Sequence, residues 1–152
     1  MIDRLAGQNI NSDANVFISA VEGHDTFASP AQELLAFVET GTANAFTSEL
    51  TLAEVLVGPI RENNRKLVGD YEGLLGGQTA PTVLPVTRLV FREAANFRAM
   101  TRQKLPDAIH VATASLASCR HFISEDAGLK IPAGIQHTTR TQLIATWKEP
   151  LA

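Results

Sequence analysis

A chain of 152 residues has room for one domain built round a single core. Its 45% hydrophobic and 19% charged residues exclude a disordered tail or a fibre. No apolar run approaches the roughly 20 residues that span a bilayer, and residues 1–8 lack a signal-peptide pattern. The lone Cys119 excludes an internal disulfide and a cysteine-rich zinc site, so a cytoplasmic protein with no membrane association is expected.

The net charge of −3 conceals an asymmetry. Residues 1–60 hold one basic residue (Arg4) and eight acidic ones, whereas residues 61–152 hold twelve basic and eight acidic. Within the second half, Arg88, Arg92, Arg98, Arg102 and Lys104 face only Glu93 across seventeen residues. Such a stripe is either a plain solvated helix face or a surface for an acidic partner or a nucleic-acid backbone.

Taken in chain order, residues 10–13 read as a short strand. Ser29 and Pro30 open a helix as N-cap and first residue, with Leu34, Leu35 and Val38 on one face. Residues 45–48 form a strand, and residues 50–57 a buried helix that ends at the Gly58-Pro59 turn signal. Residues 61–75 carry Leu67, Tyr71, Leu74 and Leu75 at helical spacing and stop at Gly76. A strand over 83–86 precedes an amphipathic helix over 87–102. Pro106 then starts a helix to about Ser118 that is apolar almost all round and therefore buried. Residues 121–124 and 134–138 complete the strands, and residues 139–152 form a tail in which Trp147 is expected to anchor packing. Alternating strands and helices indicate an α/β sandwich with a mainly parallel sheet. Ligands in that architecture bind beyond the carboxyl ends of the strands.

Acidic residues stand just beyond the predicted strands. Asp13 comes after the first, Glu54 lies one to two turns into the helix after the second, and Asp107 stands at the mouth of the buried helix. Glu125 and Asp126 come after the fourth. Each has a plain structural explanation: a helix cap for Asp13, the helix dipole for Asp107, a turn for Asp126, a surface position for Glu54. Together, in a parallel sheet, all four would converge at one edge and repel. A hard divalent cation is the usual remedy, and carboxylates without histidine or thiolate select Mg²⁺ or Mn²⁺ rather than zinc. Such ions serve phosphate chemistry, and neutralising the four acids would turn the net charge to +1. An acidic site beside a basic helix is what a metal nuclease needs. Phosphate-loop, dinucleotide and serine-nucleophile motifs are absent.

At these residues the chain resembles PIN-domain proteins. Ser12-Asp13-Ala14-Asn15-Val16-Phe17-Ile18 is similar to their opening motif, and residues 47–59, from Thr47-Ser48-Glu49 to Val57-Gly58-Pro59, to the second. Leu105-Pro106-Asp107-Ala108-Ile109-His110-Val111-Ala112-Thr113-Ala114 resembles the third motif, and Phe122-Ile123-Ser124-Glu125-Asp126 the fourth. The likeness spans about residues 10–138 of a single domain. It implies a three-layer PIN-like fold with five strands in the order 3-2-1-4-5, and Mg²⁺- or Mn²⁺-dependent ribonuclease activity. Among such proteins it looks like the VapC-type toxins, which are restrained by a VapB-like antitoxin and are usually homodimers. By position the acidic, metal-holding residues are Asp13, Glu54, Asp107 and Asp126. Glu54 is preferred to Glu49 because it precedes the Val-Leu-Val-Gly run. Asn15, Ser124 and Glu125 are supporting candidates, and Arg88, Arg92, Arg98 and Arg102 are candidates for the RNA backbone. Ala14 stands where the family often has a hydroxyl. His110 is expected to pack or hydrogen-bond behind the site. Two rival readings are a PIN scaffold that binds RNA or protein without cutting, and a phospho-receiver domain, which Lys104 before a helix disfavours.

Overall fold

The computed structural model describes residues 2–139, 141 and 142. Trp147 and most of the expected tail lie outside the described residues. Five short strands, β1 (Asn9–Ser12), β2 (Asn44–Ser48), β3 (Thr82–Leu84), β4 (His121–Ser124) and β5 (Gln136–Thr139), form one sheet. Its order is β3-β2-β1-β4-β5 and every neighbouring pair is parallel. Six helices supply the crossovers: α1 (Ala14–Glu22), α2 (Ala28–Glu39), α3 (Leu50–Arg61), α4 (Arg65–Leu74), α5 (Arg88–Thr101) and α6 (Leu105–Leu116).

The period-two alternation of strand side chains sorts the core into two layers. Ile10, Ala45 and Ile123 point to one face, where they pack with Val16 and Ala20 of α1 and Ala31, Leu34 and Val38 of α2. Phe46 and Phe122 point to the other, against Val90, Ala94 and Phe97 of α5 and the alanines of α6. Seven consecutive residues of α6, Ala108 to Ala114, are buried, as its all-round apolar sequence requires. A third cluster joins α1, α3 and α4 through Phe17, Val55 and Tyr71. Tyr71 is fully buried, and its hydroxyl donates to Glu22 Oε2 at 2.5 Å, tying α4 to α1.

Several helix boundaries differ from those the sequence suggested. Helix α2 begins at Ala28, before Ser29, because the Asp25 carboxylate already accepts the Phe27 N–H at 3.0 Å. Pro30 falls in the first turn, where its missing N–H costs nothing. Helix α3 does not stop at Gly58-Pro59 but runs through it to Arg61. Gly58 has no Cβ to meet the proline ring, which relieves the usual clash one residue before a proline. The next turn uses Asn63 at φ 53°, so α4 starts at Arg65 with the Asn64 side chain accepting the Leu67 N–H, later than the expected residue 61. Nor is α3 a buried helix. Thr51, Val55 and Pro59 are buried, whereas Val57 and Ile60 are 51% and 59% exposed.

One residue of the central strand is costly. Asn11 pairs in register with Phe46 and Phe122, so its side chain shares their α5–α6 face. It is fully buried, and neither its Oδ1 nor its Nδ2 has a partner. An unpaired buried amide costs about 1–3 kcal/mol. Asn11→Val should therefore raise the melting temperature by about 3 °C or more. A calorimetric scan in which the variant melts at or below the parent would show that the amide is satisfied in solution.

Candidate functional site

In the strand order 3-2-1-4-5 the chain winds one way from β1 and the other way from β4, so the topological switch lies between these two strands. Asp13 immediately follows β1, and Asp126 lies two residues beyond β4. Parallel pairing of Ser12 with Ile123 brings both strand ends to the same edge. There a cavity of about 290 Å³ opens, and Asp13, Glu54, Asp107 and Asp126 all line it. Asn15, His110 and Ser124 line it too, with apolar walls from Ala14, Ile18, Phe122 and Leu129.

A different part of the chain carries each acid. Asp13 is the N-cap of α1: its Oδ1 accepts the Asn15 N–H at 3.0 Å, while its own N–H donates to the Ile123 carbonyl. The buried Ser124 hydroxyl donates to the Asp13 carboxylate and accepts the Asp126 N–H at 3.1 Å. Asp126 turns the chain, its Oδ1 accepting the Gly128 N–H at 2.8 Å. Asp107 sits in the first turn of α6, at the positive end of the helix dipole. Glu54, on α3, meets Nε2 of the buried His110 through Oε1. Helix α3 is aimed by a buried hydroxyl pair: Thr47 Oγ1 donates to the Ser12 carbonyl at 3.0 Å and lies 2.7 Å from Thr51 Oγ1.

These supports do not cancel the crowding. Desolvation raises the Asp13 carboxyl above its ordinary range, despite the hydrogen bonds from Ser124 and Asn15 and the nearby His110. Asp107 is raised as well, first by desolvation and then by Asp126, with Glu54 adding to it and His110 and Lys104 opposing it. A cation bound among half-buried acids such as these would relieve both the desolvation and the repulsion.

The donor set fits a hard divalent ion in kind, being carboxylate and hydroxyl oxygens. Among the described residues, however, no three His, Cys, Asp or Glu side chains stand close enough to enclose an ion as they lie. The cavity is wide relative to such an ion, with space for about ten waters at roughly 30 Å³ each. Mg²⁺ commonly keeps several waters and takes only one or two carboxylates directly, so an open cavity of this size suits it.

The remaining candidates lie elsewhere. Glu125 is exposed and does not line the cavity. Arg88, Arg92, Arg98 and Arg102 are exposed along α5 and at its C-cap, outside the cavity. Arg98 Nε donates to the Gln103 carbonyl at 3.1 Å. Sequence reasoning put His110 behind the site, but its ring lines the cavity and grips Glu54. It missed the walls formed by Ile18 and Leu129; the one available signal was Ile18, one helical turn from Ala14.

A doubly flanked parallel sheet with acids on both sides of its switch point defines a class of α/β proteins whose site is an anionic cleft. The match to the PIN domain model over residues 12–134 makes the assignment specific: the chain belongs to the PIN-domain family. Solved structures share the fold. A toxin–antitoxin complex from Klebsiella pneumoniae aligns with a TM-score of 0.62 at 22% identity, over 86% of this chain and 97% of that one. FitAcB from Neisseria gonorrhoeae gives 0.65 at 19% identity, covering 87% and 98%. VapC20 of Mycobacterium tuberculosis, a toxin that cleaves the sarcin–ricin loop, gives 0.62 at 16% identity, covering 74% and 86%. No curated protein sequence matches the chain.

Folding raises the Asp107 pKa above its ordinary value of 3.8, so the native state binds this proton more tightly than the unfolded chain does. Its ionised form therefore costs stability at neutral pH, and the cost fades as pH falls through the raised pKa towards 3.8. In metal-free buffer Asp107→Asn should melt at or above the parent at pH 7, with the difference vanishing near pH 4. Thermal melts across that range would contradict the assignment if the variant were markedly less stable at pH 7.

Proposed function

We propose that this PIN-domain protein is a metal-dependent endoribonuclease, the toxin of a two-protein toxin–antitoxin pair. The observation that carries the reading is the gathering of Asp13, Glu54, Asp107 and Asp126, from four remote stretches of chain, round one cavity. The toxin–antitoxin complex among the fold relatives supports the biological role, and the sarcin–ricin loop cleavage by another of them supports RNA as substrate.

The four acids would hold Mg²⁺ or Mn²⁺. A bound divalent ion supplies a water of lowered pKa and neutralises charge on phosphoryl oxygens. The chain's own residues do the rest. Ser124 steadies the Asp13 carboxylate, and the α6 dipole and Lys104 favour ionisation of Asp107. The apolar walls exclude bulk water from one side of the cleft, which strengthens the electrostatics inside it. Arg88, Arg92, Arg98 and Arg102 are the proposed contacts to RNA phosphates. Neutralising one should weaken binding to all RNAs alike and flatten its salt dependence.

The same reading brings two protein partners, a VapB-like antitoxin and a second copy of the chain. Leu89 and Phe91 on α5 and Leu116 on α6 are exposed at 60%, 50% and 43%, and Leu89 and Leu116 line an apolar groove of about 340 Å³. An apolar surface of this kind is the proposed dimer face. Among the described residues no helix is long and apolar enough to cross a membrane.

The decisive experiment incubates the purified chain and Asp107→Asn with structured RNA in Mg²⁺, Mn²⁺ or EDTA. Cleavage should occur only in the parent and only with metal, and the variant should lose at least 100-fold in rate, about 2.7 kcal/mol of barrier. Cleavage retained by the variant would refute the assignment. Equal RNA binding in EDTA and metal with no turnover would instead favour the scaffold reading.

A further inference from the structure

His110 has no part in the acid set, yet it is a deeply enclosed side chain of the cavity, with 6% of its side chain exposed. It stands one turn beyond Asp107 on α6 and reaches across to α3, where its Nε2 engages Glu54 Oε1. Its Nδ1 is buried and has no partner. Glu54, by contrast, projects from a helix face with 39% of its side chain exposed. A glutamate so placed has three free torsions and would sample many rotamers. Contact with a fixed, buried imidazole removes that freedom at one oxygen and leaves the second uncommitted. Asp13 and Asp126 are held at an N-cap and an Asx turn, with Ser124 serving both. Glu54 is held from another helix, by a residue 56 positions away.

We infer that His110 is a positioning residue: Nε2–H holds Oε1 of Glu54 so that the other oxygen serves the cavity as a cation ligand. This rests on the proposed metal-dependent reading. A general-base role fits less well, because Nε2 is committed to Glu54 and Nδ1 is sealed from the cavity water. Hydrogen bonds that orient a ligating carboxylate from behind commonly govern affinity, and their loss costs about 10–100-fold in metal binding.

The test is calorimetric titration of Mn²⁺ into the metal-free full-length chain, with the Mn²⁺-induced rise in melting temperature as a second readout. His110→Ala should weaken Mn²⁺ binding about 10–100-fold and shrink the thermal shift. His110→Gln, whose side-chain amide can still donate to Glu54, should recover a substantial part, and it also serves if the alanine variant folds poorly. Glu54→Gln should weaken binding too, and adding His110→Ala to it should cost nothing further, since the imidazole acts only through that carboxylate. Unchanged Mn²⁺ affinity in both His110 variants, with only a lower melting temperature, would reduce the pair to a structural link and overturn the inference. So would tighter binding, which would mean that the imidazole competes with the ion, or additive losses in the double variant. Absence of Mn²⁺ binding by the parent chain would instead overturn the metal-dependent reading itself, and the inference with it.

Discussion

Like charges gathered at the switch point of a parallel sheet are the constraint round which this molecule is arranged. Four carboxylates line one cavity; burial works against ionisation of Asp13 and Asp107, and neighbouring acids add to it at Asp107. The fold tolerates them because each has a compensating group nearby. The α1 amide of Asn15 serves Asp13, the Gly128 amide serves Asp126, the α6 terminus serves Asp107 and the His110 ring serves Glu54. The plain structural explanation of each acid and the chemical one are therefore not rivals. An N-cap aspartate at a strand end is held where it is needed by the same bond that starts the helix. The raised pKa values of Asp13 and Asp107 measure what these local devices leave uncompensated.

The sheet transmits that arrangement from its centre outward. Strand β1 is only four residues long, yet it pairs with β2 and β4 and delivers the chain from Ser12 straight into Asp13. The Ser12 carbonyl receives the Thr47 hydroxyl, and Thr47 in turn meets Thr51 in the first turn of α3. One buried chain of hydroxyls thus relates the register of β1 and β2 to the direction of the helix that carries Glu54. Against this, Asn11 places an unsatisfied amide between two phenylalanines on the strand that everything else depends on. The central strand is accordingly less stable than its neighbours' packing would allow.

The sequence was most legible where local pattern and tertiary role coincide. The apolar continuity from Pro106 to about Ser118 announced a buried helix, and acids placed after short apolar runs announced a cavity at the carboxyl edge. The strand order came from motif resemblance, because periodicity alone carries no information on which strands are neighbours. What stayed hidden was set by partners distant in sequence or by a single residue at a boundary. Gly58 lets α3 pass through Pro59, so a turn signal became a helix interior. Asp25 starts α2 ahead of the Ser29-Pro30 pair. The apolar neighbours of Glu54 suggested burial, whereas only one stripe of α3 faces the core and Glu54 lies beside it. No local pattern could pair Glu54 with His110, since α3 and α6 meet only once α4, β3 and α5 have been laid between them.

The same folding divides what looked like one basic stripe. Helix α5 ends next to the start of α6, and the two helices pack together, so the corner between them lies beside Asp107. Arg102, in the left-handed C-cap conformation, and Lys104, at the α6 N-cap, occupy that corner. Lys104 is close enough to act on the Asp107 carboxyl. Arg88 starts the other end of a 14-residue helix, roughly 21 Å away at 1.5 Å per residue. That separation exceeds two Debye lengths at physiological ionic strength, about 8 Å each, so Arg88 barely alters the potential at that corner. Lys104 bears on the cavity's own field, while Arg88 matters to a polyanion only if it is long enough to lie along α5. A short ligand and a long one would therefore feel different parts of the same sequence stripe.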